Sequence, residues 1–165
     1  MKKIIAILAV IGMFSVQSCT TQDIDNDTIS EVFELKNVNF VYNATNDEYK
    51  IYQTFNPNIF ASDVVLIYRL SDAIDSNTPV WQLIPRTLFL TQGELDYDFD
   101  FSKEDFTIYA GGNYNLSLTP QYLNNQTFRI VIVPGSFSTS INKNNYLEVM
   151  NTLNLKEAQV QKINF

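Results

Sequence analysis

A run of carboxylates provides the first candidates for chemistry in this chain. From Glu94 to Phe101, an acidic residue alternates with an aliphatic or aromatic residue at every step. Such alternation is typical of a β-strand, so the acids would share one face at a spacing of about 6.8 Å. Calcium prefers oxygen ligands, and the last three acids of the run are candidate calcium ligands: Asp96, Asp98 and Asp100.

The acids do not match a known calcium loop, and they have two other interpretations. Their spacing departs from the EF-hand calcium loop, because Phe101 stands where that loop needs glycine and Thr107 where it needs glutamate. A second acidic stretch, from Asp23 to Glu34, fits the spacing better but has Thr28 at the glycine position. A solvated strand face, whose like charges discourage aggregation, explains the run without a ligand. Paired carboxylates also catalyse glycoside hydrolysis, at separations that any acidic strand meets by accident.

Aromatic side chains are a second kind of candidate, because exposed rings can stack on a sugar. The stretch from Tyr109 to Tyr122 contains Gly-Gly and several asparagines, which is typical of a surface loop. Three aromatic residues are therefore candidate ligand-binding residues: Trp81, Tyr109 and Tyr114. The alternative is a structural role, since most aromatic residues of a β-sandwich lie in its core.

The residues that the chain lacks narrow the reactions it could catalyse. It has no histidine and a single cysteine, which removes histidine-based nucleophile pairs, the commonest zinc ligand and any redox cysteine pair. The net charge is −7, and it becomes −9 without Lys2 and Lys3. Such a charge disfavours binding to DNA or to anionic lipid through a basic face. We predict no catalytic residue, no cofactor and no nucleic-acid partner.

The N-terminal residues predict export. A positive start at residues 1–3 precedes an apolar run at residues 4–14, which is the arrangement of a signal peptide. The run is too short for a membrane-spanning helix, which takes about 20 apolar residues. The sequence Val16-Gln17-Ser18-Cys19 then resembles the lipobox of bacterial lipoprotein signals. This resemblance implies cleavage after residue 18 and attachment of lipid, including palmitate, to Cys19.

Polar and acidic residues follow Cys19 without an apolar period, so residues 19–30 are predicted to form a flexible tether. An acidic stretch after a lipidated cysteine is similar to the surface-export signal of Bacteroidota lipoproteins, although here the acids start four residues late. The similarity implies an outer-membrane location and leaves open the periplasmic or the surface face. The chain thus divides into a signal peptide (1–18), a tether (19–30) and one domain (31–165).

Short segments rich in Val, Ile, Tyr and Phe alternate with turn clusters along the domain, which favours an antiparallel β-sandwich. The predicted strands are Val32–Tyr42, Glu48–Phe55, Asp63–Leu70, Val80–Leu90, Glu94–Phe101, Phe106–Ala110, Tyr114–Leu118 and Thr127–Val133. Asn43–Asp47, between the first two, predict a hairpin loop, because asparagine and aspartate tolerate a left-handed backbone. Continuous apolar runs in Asp63–Leu70 and Thr127–Val133 indicate strands that are covered on both faces. Pro85 interrupts its strand and predicts a bulge or an edge position there.

The hydrophobic period changes near the C-terminus. Apolar residues recur at i, i+3, i+4 and i+7 from Tyr146 to Leu153, which predicts a helix over about Asn144–Leu153. The following segment, through Ile163, could form a second helix. The predicted fold class is all-β, an antiparallel sandwich of about seven to nine strands with a short C-terminal helix.

Five segments carry a family resemblance, which from the first segment to the last covers about half of the mature chain. They are Asp63–Leu70, Val80-Trp81, Gly93–Leu95, Tyr97–Phe101 and Phe128–Pro134. They are similar to a family of small, uncharacterised Flavobacteria-type lipoproteins of the Bacteroidota, whose members are sometimes labelled dihydrolipoamide dehydrogenase. That activity needs Gly-rich dinucleotide-binding turns and a redox cysteine pair, whereas this chain has five glycines and one cysteine.

These features predict a non-enzymatic envelope lipoprotein, anchored to the membrane by its N-terminal lipid. Its sandwich would act as an interaction or structural module for an envelope protein or a glycan. A carbohydrate-binding accessory lipoprotein is the alternative, and an enzyme that uses paired carboxylates is the third hypothesis. The exposure of the three candidate aromatic residues separates the first two hypotheses, and an enclosed cleft holding two carboxylates is what the third requires.

Overall fold

The structure is a computed structural model that describes residues 30–75, 77–137 and 142–164. The predicted signal peptide, Cys19 and nearly all of the predicted tether lie outside these ranges. The described strands are β1 (Glu31–Val38), β2 (Val41–Asn43), β3 (Glu48–Thr54), β4 (Val64–Ala73), β5 (Pro79–Ile84), β6 (Arg86–Leu90), β7 (Gly93–Phe101), β8 (Asp105–Gly112), β9 (Gln126–Val133) and β10 (Gln161–Asn164). The described helices are α1 (Tyr146–Thr152) and four 3-10 helices, at Leu116–Leu118, Pro120–Tyr122, Gly135–Phe137 and Glu157–Gln159. In this part of the chain, no helix has the length and apolarity needed to cross a membrane.

The ten described strands form two five-stranded sheets that enclose a shared apolar core. Sheet A has the order β10-β1-β9-β4-β5, and sheet B has the order β2-β3-β8-β7-β6. Paired strands are antiparallel throughout, except that β1 and β10 run parallel. The predicted fold class, an all-β sandwich with a short C-terminal helix, is confirmed.

Each of two predicted strands is divided into two observed strands, one in each sheet. The predicted strand Val32–Tyr42 divides at Asn39-Phe40 into β1 of sheet A and β2 of sheet B. Pro85 divides the predicted strand Val80–Leu90 into β5 and β6 in the same way, because proline has no N–H to donate to a ladder. Both β5 and β6 are edge strands, so the edge position predicted from Pro85 is confirmed.

Alternating side chains fill the space between the sheets. On β7, Leu95 and Tyr97 are buried whereas Asp96 and Asp98 are exposed, so the predicted alternation is confirmed. The two strands predicted to be covered on both faces, β4 and β9, lie inside sheet A. Their inner faces contact the core shared with sheet B, and their outer faces contact a second apolar cluster.

The chain after residue 142 provides that second cover, on the outer face of sheet A. Helix α1 begins after Asn145, whose side-chain oxygen accepts a hydrogen bond from the backbone N–H of Glu148, an N-cap that satisfies one free donor of the first turn. The buried side chains of the helix are Tyr146, Val149 and Met150. They pack on outer-face residues of β1, β4 and β9, so the chain after residue 142 forms a third layer on this face, the C-terminal layer.

Two local predictions are wrong. Tyr114–Leu118 does not form a strand, because the Asn115 side chain accepts a hydrogen bond from the backbone N–H of Ser117 and caps a 3-10 turn instead. The segment through Ile163 does not form a second α-helix either. It ends as β10, whose residues pair in parallel with β1, so a contact with a distant strand determines its conformation.

Candidate functional site

The acids predicted to bind calcium lie on the outer face of sheet B, and all three are exposed. Asp96, Asp98 and Asp100 follow one another along β7, and Asp100 accepts a hydrogen bond of 2.9 Å from the Tyr109 hydroxyl. Within the described ranges, no group of three or more acidic or cysteine side chains is arranged to hold a metal ion. Calcium binding stays a prediction. The acids form an open face, not the enclosed cleft that the glycosidase hypothesis requires.

The three aromatic residues predicted to bind a ligand do not come together. Trp81 lies on the outer face of sheet A, Tyr109 on the outer face of sheet B, and Tyr114 in the loop between β8 and β9. Each of them is half-buried. They cannot form a single stacking platform, so each ring must be considered in its own surroundings.

Trp81 belongs to a cluster around Arg129 beneath the C-terminal layer. The guanidinium carbon of Arg129 lies 4.3 Å from the centre of the Trp81 ring, and the Trp81 and Tyr146 ring centres are 5.6 Å apart. A cation over an aromatic face is attracted to the ring, most strongly where water is excluded. Trp81 therefore helps to hold the C-terminal layer on the sheet, and the ring face that Arg129 covers is not free to stack on a sugar.

Two carboxylates neutralise Arg129, which is only 3% exposed. Its Nε donates a hydrogen bond of 2.9 Å to Glu34 on β1, and its terminal nitrogens donate to Glu157 and to the Tyr146 hydroxyl. Burial lowers the pKa of Arg129, but these hydrogen bonds and the neighbouring charges together raise it above the usual range. Glu34 is thus part of a buried ion pair that ties three segments together.

An open groove of about 700 Å³ lies at one end of sheet B. The β2–β3 hairpin forms one wall, and the start of the β8–β9 loop forms the other. The polar and aromatic side chains that line it include Tyr42, Asp47, Tyr49, Asn113, Tyr114 and Asn115. The volume is in the range typical of small-ligand sites.

The hairpin wall is built on a pair of tyrosines. Tyr42 and Tyr49 face each other across β2 and β3, with ring centres 5.0 Å apart. Asp47 closes the hairpin in the left-handed conformation (φ 53°), which aspartate tolerates. It accepts a hydrogen bond of 2.8 Å from the Tyr42 hydroxyl, and this bond raises the pKa of Tyr42. Tyr42 is 49% exposed, so much of its ring is open to a ligand.

The loop wall is fixed by hydrogen bonds to β7 and to its own second turn. The Asn113 side chain accepts a bond of 2.8 Å from the Glu94 N–H, and the Asn113 N–H donates one of 3.1 Å to the Glu94 oxygen. The Tyr114 hydroxyl lies 2.6 Å from the Thr119 hydroxyl. Gly112 is required between these walls, because a Cβ there would lie 2.5 Å from the Glu94 oxygen.

The groove therefore presents aromatic rings, one carboxylate and side-chain amides to a ligand. Sequence reasoning found Tyr114 but missed Tyr42, Tyr49 and Asp47. The turn signal at Asn43–Asp47 predicted the hairpin correctly, but only the placement of the β8–β9 loop opposite makes that hairpin one side of a groove. Comparison of the chain with models of protein families, with curated proteins and with solved structures found no match.

Proposed function

We propose that the chain is a non-enzymatic binding module that lipid on Cys19 anchors to the cell envelope. The groove beside Tyr42 is the observation that carries the binding part. Sites for small ligands are concave, mostly apolar and supplied with a few fixed polar groups. The groove is concave and has three tyrosine rings in its walls, although more of its lining is polar than apolar. Its walls are a β-hairpin and a loop tied to β7, so a ligand would meet positioned side chains.

The N-terminal sequence supports the envelope part of the proposal. The apolar run at residues 4–14 ends shortly before Cys19, and β1 begins twelve positions after that cysteine. A fully extended chain of this length spans about 40 Å, enough to hold the domain clear of the lipid head groups. We also propose that the protein belongs with the small Bacteroidota lipoproteins and lies at the outer membrane.

A carbohydrate ligand is the second candidate, and the composition of the groove favours it. The C–H face of a sugar ring packs on an aromatic side chain such as Tyr42. Sugar hydroxyls donate hydrogen bonds to a carboxylate such as that of Asp47. They can also accept hydrogen bonds from the side-chain NH2 group of Asn115. In this version the protein is an accessory lipoprotein that holds a glycan at the envelope.

Binding of soluble oligosaccharides and envelope polysaccharides, followed by NMR, tests the groove. Tyr42→Ala should weaken binding by about three- to tenfold, the value of one aromatic contact. Tyr52→Ala is a matched control, because Tyr52 is 54% exposed on the outer face of sheet B and its hydroxyl also donates to an aspartate, Asp105. Equal effects of the two variants would contradict binding in the groove, and the absence of saccharide binding would contradict a carbohydrate ligand.

Membrane fractionation and mass spectrometry test the anchor. Cys19→Ala should release the protein from the membrane or leave it unprocessed, because no other cysteine can take the lipid. The parent should carry a mass increase of acyl chains on a chain that begins at Cys19. An intact Met1 on cytosolic material, or a variant that fractionates like the parent, would contradict the proposal.

A further inference from the structure

Arg69 is a second buried arginine, and it points to the opposite side of sheet A from Arg129. It lies on β4 on the same face as Val65 and Ile67, which belong to the core between the sheets. It is 7% exposed. An ionised guanidinium in such a place is costly unless it is paired and hydrogen-bonded, so its partners decide what it can do.

The partners of Arg69 are all neutral. Its Nε donates a hydrogen bond of 2.9 Å to the side-chain oxygen of Gln126. The guanidinium carbon lies 4.7 Å from the centre of the Tyr97 ring and 5.7 Å from that of Tyr122, and such contacts offset part of the loss of hydration. No carboxylate of the described residues forms an ion pair with Arg69.

Gln126 determines which edge of the guanidinium is left available. Its side-chain nitrogen donates to the backbone oxygens of Gln121 and Asn124, so its oxygen is the atom that accepts from Arg69 Nε. The Arg69 side chain also lies within hydrogen-bonding reach of the Tyr97 hydroxyl, a neutral group, and no carboxylate of the described ranges accepts a hydrogen bond from its terminal nitrogens. Neither of them is among the fully buried unpaired atoms of these ranges.

A second positive residue lies beside Tyr97. Arg86 is the direct partner of Tyr97 in the β6–β7 pairing, which places it on the same face of sheet B. Arg86 is exposed and forms no ion pair with any described residue. Burial raises the pKa of Tyr97, whereas the charge of Arg69 lowers it, so the field of Arg69 reaches this hydroxyl. Positive charge without a matching acid is thus concentrated in one place.

We propose that Arg69 is the recognition residue of a second binding site, which takes the carboxylate group of a ligand. The two parallel N–H groups of its terminal edge match the two oxygens of a carboxylate. The rings of Tyr97 and Tyr122 keep water from the faces of the guanidinium, and Arg86 adds long-range attraction. This site is distinct from the groove and does not depend on the proposed function, although the β8–β9 loop contributes Tyr122 here and Tyr114 there.

Acetate is the probe for this site. The chain has three arginines, so their Nε–H signals in a 15N NMR spectrum can be assigned with single variants. Acetate, exchanged for chloride at constant ionic strength, should shift the Arg69 Nε–H signal and the Gln126 side-chain amide signals saturably. Arg69→Met should weaken the binding seen at Gln126 by at least about tenfold, and Arg86→Met should weaken it about two- to fivefold.

Two further variants control for misfolding and for non-specific attraction of the anion by positive charge. Arg69→Lys keeps the charge but loses the planar pair of donors, so it should weaken acetate binding while a dispersed amide spectrum confirms folding. Lys50→Met removes a positive charge from the outer face of sheet B and should leave the titration unchanged. Shifts that rise linearly, or saturable shifts at Gln126 that persist in both Arg69 variants, would overturn the proposal.

Discussion

Arg129 and Arg69 are close neighbours in sheet A, yet they meet opposite conditions. Tyr68 pairs with Arg129 and Arg69 pairs with Phe128, so the two arginines sit one step apart in the β4–β9 register and face opposite sides of the sheet. Both are more than nine-tenths buried. Arg129 has two carboxylates as partners, whereas Arg69 has one glutamine and two aromatic rings.

The partners of a buried charge, more than its burial, determine its role. Arg129 donates from all three nitrogens to protein groups and ties β1, β9 and the C-terminal layer together. Arg69 leaves its terminal edge without an acid, although the chain has 18 acidic residues. One arginine is therefore structural, and the other is available to a ligand.

Removal of Arg129 should cause the largest loss of stability. Arg129→Met should lower the free energy of unfolding by about 3–5 kcal/mol, because it leaves the buried Glu34 without a counter-ion. Urea denaturation followed by circular dichroism measures this change. A loss no larger than that of Arg69→Met would show that the ion pair does not distinguish the two arginines.

The two acids that pair with Arg129 should contribute unequally to stability. Glu34 is 6% exposed, whereas the side chain of Glu157 is 65% exposed. Glu34→Gln should lower the free energy of unfolding by about 1.5–3 kcal/mol, and Glu157→Gln by less than about 1 kcal/mol, because solvent screens that pair. The same denaturation measurement applies, and a reversed order would show that the C-terminal contact is the stronger one.

Substitution of Arg69 should destabilise the protein less than substitution of Arg129. In buffer without carboxylate anions, Arg69→Met should lower the free energy of unfolding by about 1–2 kcal/mol, mainly because the buried Gln126 oxygen loses its donor. Addition of acetate should stabilise the parent against urea and leave the variant unchanged. Equal stabilisation of both proteins by acetate would locate the anion elsewhere.

The smallest change in stability is expected only at alkaline pH, and it comes from the tyrosines beside the two arginines. Burial raises the pKa of Tyr68 on one side of sheet A and of Tyr97 on the other, above the ordinary value of 10.0. A raised folded pKa gives stability that is complete below pH 10 and is lost as pH rises further. Absorbance of the phenolate should therefore show ionisation of these two tyrosines only together with alkaline unfolding; Tyr68→Phe and Tyr97→Phe identify their contributions.

Part of the groove could be predicted from local sequence and part could not. The residues Asn43–Asp47 predicted a hairpin because asparagine and aspartate tolerate the backbone of a tight turn, and Asp47 adopts it. Tyr114 was found through its polar surroundings. Tyr42 and Tyr49 carry no sequence signal that separates them from core tyrosines, since their partial exposure depends on where the β8–β9 loop packs.

The sequence by itself determined the elements whose cause is local. Alternation of acids with Leu95 and Tyr97 set the two faces of β7, and the apolar period after Tyr146 set the C-terminal helix. Pro85 placed a break and an edge, because its missing N–H acts wherever the strand pairs.

Only the tertiary structure decided which face of β4 and β9 met which partner. A strand covered on both faces has no polar alternation to tell the inner side from the outer side, so nothing local distinguishes Arg69 from Arg129. Glu34 lies 95 positions before Arg129 in the chain, and the register that joins them depends on the whole sheet. The charge of an arginine is local, whereas the group that neutralises it is chosen by long-range packing.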